Sequence, residues 1–455
     1  MKLFAWRWLA ISSLLLAGAA GQPETRPQYG GTLRIMMQAR LDSLNPAAAT
    51  QADSFAERSI MRMVFDTLII LDDNGRPQPV LATSWQSAGK SQPWRFLLRN
   101  GVRFHDGTVL TAESAAASLR AANPNWEVTA DGGSVVIQCD CPNLLSELAL
   151  PRNSIIKNDS NERPTGTGPF RIVEWQTGAK LTLAANEDYW GGRPFLDLIE
   201  IEMGKSFRDQ FTTLELGRAD LVEVAPEQAH RLSLGDAHLV SSLPMELAAL
   251  VFARDAQTDD EKSLRAALAL SIDRGSMRSV LLQGAGQPAA SLLPNWMSGY
   301  AFVFPAEPDL SLARRERSQV RTIPTWTLGY DANDSLERLL ADRVALNAKD
   351  AGLSLQPTSA STADLRLTRI PLASADPWIA LTEMSATVGL PVQNISSNSV
   401  EDLYSAERAE LETQKILPLF HLPMMYASSS ALKNWTLRPD GSWNLADAWL
   451  ENKPR

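Results

Sequence analysis

The side chains in this 455-residue chain that could do metal or nucleophilic chemistry are few, and their spacing suits neither. The four histidines, His105, His230, His238 and His421, are widely separated. No two of them sit at a spacing that would bring both imidazoles to one ion on a helix face or a strand. Cys139 and Cys141 are the only cysteines, and they end the strand-like run 134–141. Successive strand side chains alternate faces, so these two would point apart. The reading is two buried free thiols, with a strained or redox-active Cys-x-Cys pair as the alternative. There is no Gly-x-Ser-x-Gly elbow and no His-Glu-x-x-His helix. Gly166–Phe170, GTGPF, lacks the Lys-Ser/Thr ending of a phosphate loop. Asp72-Asp73 and Asp259-Asp260 sit in polar turns and read as solvated surface. No enzyme, cofactor or resident metal is expected. What remains suits binding: a cluster of aromatic residues at Trp296, Tyr300, Phe302 and Phe304, and a lone Trp378. Apolar walls with a few polar anchors make a site for a small organic ligand. Core packing is the competing reading for these rings.

The elements that must position such a site alternate between strand and helix. Residues 29–37 read as an opening strand, and 55–71 carry helical apolar spacing. Residues 94–98 and 102–104 alternate around Asn100-Gly101, which predicts a β-hairpin. Residues 112–120 read as a short helix with Thr111 as N-cap and Ser114 three residues on. Strands are expected at 171–175, 180–184, 195–203 and 219–224, and a helix-rich block at 263–284. The arginine-rich stretch 309–322 reads as a flexible surface connection. Residues 326–330, 335–351 and 353–358 form a β-α-β unit, so their two strands should be parallel. Trp85, Phe104, Trp175, Tyr189 and Trp190 read as core of the first half. The glycines at 101, 107, 166, 168, 191 and 192 read as turn formers.

Composition sets the class. Apolar residues make up 44% and charged residues 21%, which suits an ordered globular protein of two or three domains. The net charge of −9 argues against nucleic acid and anionic membrane surfaces as partners. Lys2 and Arg7 precede an apolar run at 9–17, and Ala17-Gly18-Ala19 is a small-x-small site. This reads as an export signal over 1–19, because a membrane anchor wants about 20 apolar residues. The expected product works in the periplasm as a soluble protein.

Several blocks resemble, in order, the extracytoplasmic solute-binding proteins of ABC importers, in the peptide/nickel-binding family 5. They include GGTLRI at 30–35, VLATSW at 80–85 and PWRFLLRNGVRFHDGTVLTA at 93–112. GTGPFRIVEW at 166–175, NEDYWGGRPFLDLIEIEM at 186–203, RAALALSIDR at 265–274 and GAGQPAASLLP at 284–294 continue the series. Ala375-Asp376-Pro377 and Ile416-Leu417-Pro418-Leu419 close it.

The resemblance implies an α/β protein with the two-lobed periplasmic binding protein type II-like fold (cluster C) and an extra subdomain on the first lobe. Residues 27–50, 166–245 and 416–455 would build the first lobe, 51–165 the subdomain and 246–415 the second lobe. The chain would cross between lobes near 243–253 and 417–427. The implied function is a monomeric receptor that captures an oligopeptide or other small organic solute and delivers it to an inner-membrane ABC permease. A transport-incompetent sensor or interaction protein is the alternative. Nickel, which some members of the family bind, is a weaker option. The implied solute contacts are Gln51, Arg254, Trp296, Trp378 and Glu383.

The sequence also departs from the family. Peptide-binding members resembling this chain carry a carboxylate three residues before the Asp-Pro step, and it anchors the peptide α-amine. Ala373 stands there, Ile370 stands for the usual tryptophan, and Ala253-Arg254 stands where an asparagine is common. The segment between Asp376-Pro377 and Ile416 is shorter than is usual. Ordinary peptide capture therefore needs a shifted anchor, with Glu383 or Asp376 as candidates.

Overall fold

The computed structural model describes residues 26–46, 54–72, 74–87, 89, 92–158, 164–226, 237–391 and 399–451. The expected signal segment, Gln51 and His230 lie outside the described residues.

The chain opens on β1 (Thr32–Met36), where alternation buries Leu33 and Ile35. Helix α1 (Phe55–Val64) follows, capped by Ser54, whose hydroxyl accepts from the Glu57 amide at 3.1 Å. It stops well short of the predicted 71: Phe65 is extended, and Ile69–Leu71 form a short strand. The GTGPF turn lies against this helix end, with the Gly168 amide donating to Val64 O at 3.0 Å. A Cβ on Gly166 would lie 2.1 Å from Val64 O, and one on Gly168 2.7 Å from Met63 O. These two glycines therefore permit close backbone approach rather than a positive φ. Gly101 and Gly107 do take positive φ, +78° and +83°, as turn formers.

The subdomain is built on β2 (Ala82–Ser87), β3 (Trp94–Leu98), β4 (Glu127–Asp131) and β5 (Ser134–Gln138). They form an antiparallel sheet in the order β2-β3-β5-β4. Helix α2 (Ala112–Ala122) buries Ala115, Ala116 and Leu119 in the same core and carries the expected Thr111–Ser114 capping box. The predicted hairpin does not form. Strand β3 pairs with β2 and β5, while residues 102–104 enter a tight loop in which Arg103 alone bridges to Val109. Local alternation identified the strand but not its partner. The cysteine expectation is also corrected. Strand β5 ends at Gln138, so alternation does not reach Cys139 and Cys141, and these half-buried residues are joined in a disulfide.

One long sheet unites both lobes. Its first part is β6 (Phe170–Gln176), β7 (Lys180–Ala185), β8 (Leu198–Glu202) and β9 (Leu221–Glu223), with α3 (Phe207–Glu215) between the last two. Next comes β10 (His238–Phe252), followed by helices α4 (Asp259–Ser271) and α5 (Arg274–Val280). Residues 309–322 are not a flexible connection. They hold helix α6 (Leu310–Ser318), capped by Asp309, which accepts from Leu312 N at 2.8 Å and ties back to Leu270 O through its own amide. The β-α-β unit appears as expected: β11 (Thr325–Gly329), α7 (Ser335–Asp350) and β12 (Ser354–Thr358), with the strands parallel. Strand β13 (Leu365–Pro371), helices α8 (Pro377–Val388) and α9 (Val400–Glu412), and strand β14 (Ile416–Ser428) complete the second half. The strand order is β6-β7-β8-β1-β9-β14-β10-β13-β11-β12.

Strands β10 and β14 join the lobes. At one end Tyr426–Ser428 pair with β9; at the other Glu246–Phe252 pair with β13. In the second lobe, Ala248, Leu250 and Phe252 enter one apolar cluster and Leu247 and Ala249 another, so β10 is buried on both faces. Between the ends the β10–β14 register shifts on both sides of Pro244, which faces Pro423. Proline donates no amide, so the ladder is interrupted there and the pair can bend.

Candidate functional site

That interruption lies beside a cavity of about 290 Å³ between the lobes. Gln38 after β1, the start of α1 at Ser54–Ala56, Phe207 of α3 and Glu223 of β9 line one side; the joining strand supplies Pro423–Met425. The second lobe supplies Glu246, Asp334, Glu337, Arg369 and Pro371. Four carboxyls and one guanidinium thus line it among the described residues.

Arg369 is fully engaged. Its Nε and Nη2 donate to Glu246 Oε2 at 2.8 and 2.5 Å, and Nη1 donates to Asp334 Oδ2 at 2.9 Å. Burial alone would lower its pKa, but Glu246 and Asp334 hold it raised. Asp334 is also the N-cap of α7, its Oδ1 accepting from the Leu336 and Glu337 amides. Among the described residues no cation bonds Glu223 or Glu337, and Arg369 acts on both only at longer range. Glu223 Oε2 accepts from Gln38 N at 2.5 Å and Gln210 Nε2 at 3.2 Å. Glu337 Oε2 accepts from Asp331 N at 2.7 Å. Burial pushes the Glu223 carboxyl up and raises that of Glu337 to about 7.

A second interlobe region surrounds Ala373, and it is nearly filled. The space there is about 20 Å³, lined by Arg62, Ala149, Ala373, Arg438 and Asp440, among others. Arg58 is buried; it donates from Nη1 to Asp440 O at 2.5 Å and from Nη2 to Leu372 O at 3.1 Å. Arg62 donates from Nε to Asp440 Oδ2 at 2.7 Å and from Nη2 to Ala149 O at 3.1 Å. Burial would raise the Asp440 pKa, but Arg62 and Arg58 hold it below the usual carboxylate range. Nearby, Arg152 bonds Glu383 at 2.8 Å, and Ser146 donates to Asp376 Oδ2 at 2.7 Å. The subdomain is thereby tied to the second lobe.

Residues 76–371 match the bacterial extracellular solute-binding proteins, family 5 (middle). The chain belongs to this family. Its members here are binding proteins of ABC transport systems rather than enzymes. The nickel-binding protein NikA of Staphylococcus aureus is 28% identical over 50% of this chain, but the matched stretch spans only 49% of that relative. Protein XP55 of Streptomyces lividans is 25% identical over 77% of this chain and 72% of its own length. Among solved structures, the binding protein DppA from Helicobacter pylori in complex with peptide STSA superposes with a TM-score of 0.80. It covers 94% of this chain and 99% of that one at 18% identity, a likeness of fold.

Within this family fold, the candidate contacts from the sequence fall in different places. Trp378 is buried at the start of α8 in the second-lobe core. Trp296 is half-buried against the same core, and its Nε1 donates to Pro244 O at 2.9 Å, beside the strand interruption. Arg254 is exposed and paired with Glu261 at 2.6 Å. Glu383 is held in the ion pair with Arg152. None of these four lines the 290 Å³ cavity. Of the histidines, His421 lies within β14, bonded to Leu292 O at 3.0 Å, and His105 Nε2 is 3.0 Å from Gly168 O. Burial lowers both imidazoles to about 4, which keeps them neutral. Among the described residues, no group of three or more His, Cys, Asp or Glu could hold a metal ion.

Sequence reasoning missed Glu223, Glu246, Glu337 and Arg369. A signal did exist for three of them. Glu223, Glu246 and Arg369 are charges inside strand-like apolar runs, LVEVA, PMELAALVF and LRLTRIP. A charge in a buried strand needs a partner or a ligand.

Proposed function

We propose that this chain is the receptor of an ABC importer, working outside the cytoplasm after loss of residues 1–19. It captures a small organic solute between its lobes and hands it to a membrane permease. Residues 27–50, 166–245 and 416–455 form the first lobe in this reading, 51–165 the subdomain and 246–415 the second lobe. The observation that carries it is the 290 Å³ cavity, whose walls come from both lobes and from the interrupted β10–β14 pair. A solute there touches both lobes at once, so its binding energy favours the closed arrangement. Glu383 and Trp296 serve closure in this reading, one at the subdomain seam and the other at Pro244.

Free-amine peptides should be poor ligands at Ala373. An α-ammonium there would meet Arg62 and Arg438 with no unpaired carboxylate to receive it. Small-angle scattering and tryptophan fluorescence with a panel of peptides, sugars, amines and metal ions test the function. A subset should compact the protein and raise its melting temperature. If no solute class does either, and the protein fails to stimulate its purified permease, the receptor reading is lost.

A further inference from the structure

We infer that the interlobe cavity takes a small organic cation, one carrying ammonium or guanidinium groups and no carboxylate, held between Glu223 of the first lobe and Glu337 of the second. This rests on the receptor reading and adds the chemistry of the solute.

The cavity does not balance its own charge. Arg369 is its one cation among the described lining residues, and Glu246 and Asp334 already occupy that guanidinium. Glu223 and Glu337 are left, each only 8% exposed. Each has one oxygen held by neutral N–H donors. The other oxygen, Oε1 in both, accepts no hydrogen bond from any described residue. A buried carboxylate without a counter-charge is costly unless something supplies that charge. Burial raises both carboxyls, so in the empty cavity they lean toward the protonated form, and a cation bound between them would favour the carboxylates.

The two acids belong to different elements of different lobes, β9 and α7, so a cation between them rewards closure. Phe207, Met424 and Met425 add apolar wall suited to methylene segments. An anion would face four carboxyls, and a neutral solute would leave Glu223 and Glu337 unsatisfied. A bare metal ion would find no group of three ligands among the described residues.

The test is calorimetry and thermal shift on the full exported chain with spermidine, putrescine and agmatine. Dipeptides, glucose, succinate and nickel ion alone serve as the comparison set. At least one of the three amines should bind, more weakly as salt rises. Glu223→Gln and Glu337→Gln should each weaken that amine at least tenfold, without lowering the melting temperature of the free protein. That combination separates a ligand contact from a folding role. Tight binding of a neutral or acidic solute, unaffected by either substitution, would overturn the charge assignment and leave the receptor reading standing. Tight binding of nickel ion alone that both substitutions abolish would overturn the organic cation in favour of a metal. Failure of every solute class to bind or compact the protein would remove the receptor reading itself, and this inference with it.

Discussion

The two interlobe regions handle charge in opposite ways. Around Ala373 the lobes meet through Arg58, Arg62 and Asp440, and the space left is about 20 Å³. Beside Pro244 and Pro423 the lobes leave about 290 Å³, with two carboxyls that no cation among the described residues bonds. Both regions touch helix α1, which sends Phe55 to the cavity and Arg58 and Arg62 to the seam. A seam whose arginines are taken up by Asp440 and by the backbone carbonyls of Leu372, Ala149 and Asp440 holds the lobes together. A cavity whose charges are unmatched asks for a ligand. Interlobe position alone would not have told them apart.

The sharpest way to break this comparison is to cut the seam's ion pair. Arg62→Ala removes one partner of a buried ion pair, and we expect a loss of about 3–5 kcal/mol in stability. Chemical denaturation followed by circular dichroism measures it. An unchanged midpoint would mean that the seam is not the structural half of the pair.

Gly166→Ala acts on both regions together through α1. The new methyl would be driven toward Val64 O, for a cost at the upper end of about 1–3 kcal/mol. The cavity and the seam should both suffer, with solute affinity and melting temperature falling in step. A loss of one without the other would show that α1 does not couple them.

The two regions should also respond to pH with opposite sign. Asp440 is held below its ordinary 3.8, so its contribution is present above that pH and is lost as pH falls further. Glu337 is raised from 4.5 to about 7, so its contribution is complete below 4.5 and is lost as pH rises to 7. Glu410, raised by burial and by Glu407 to about 7, adds to that second slope. Melting temperature recorded from pH 4 to 8 should therefore flatten between 4.5 and 7 in Glu337→Gln, and further when Glu410→Gln is added. A profile identical to wild type would contradict the raised carboxyls.

The smallest effect belongs to the half-exposed closure pair. Glu383→Gln should change stability by no more than about 1 kcal/mol. It should still enlarge the radius of gyration of the solute-free protein, because it loosens the tie between subdomain and second lobe. A peptide library binding wild type through its free amines, and losing that affinity in Glu383→Gln, would instead restore Glu383 as a solute anchor.

Much of the architecture is visible in the chain because its causes are local. Thr111 and Ser114 cap their helix three residues apart, and the apolar period of 335–351 forecasts the crossover between two parallel strands. The failures are failures of partnership. Residues 94–98 form a strand, but their neighbour is Ser134–Gln138 rather than the stretch just after the turn. Asp309 starts a helix in what reads as a surface connection, because Leu270 O across the lobe receives its amide. Trp296 and Trp378 were legible as large rings, yet a sequence does not say which side of a lobe a ring fills; here both join the second-lobe core.

By itself, then, the amino-acid sequence determined the order and kind of most elements, the family blocks and the lack of the Gly-x-Ser-x-Gly and His-Glu-x-x-His motifs. Caps, periods and turns act within a few residues and survive any arrangement of the rest. It also determined that Ala373 offers no carboxylate. Only the tertiary structure decided which carboxyls line a cavity without a bonded cation among the described residues. Glu223 and Glu337 come from opposite lobes, and Arg369 is claimed by Glu246 and Asp334. Whether a carboxyl is paired depends on which distant cation the fold brings within about 4 Å of it, and no spacing along the chain encodes that distance.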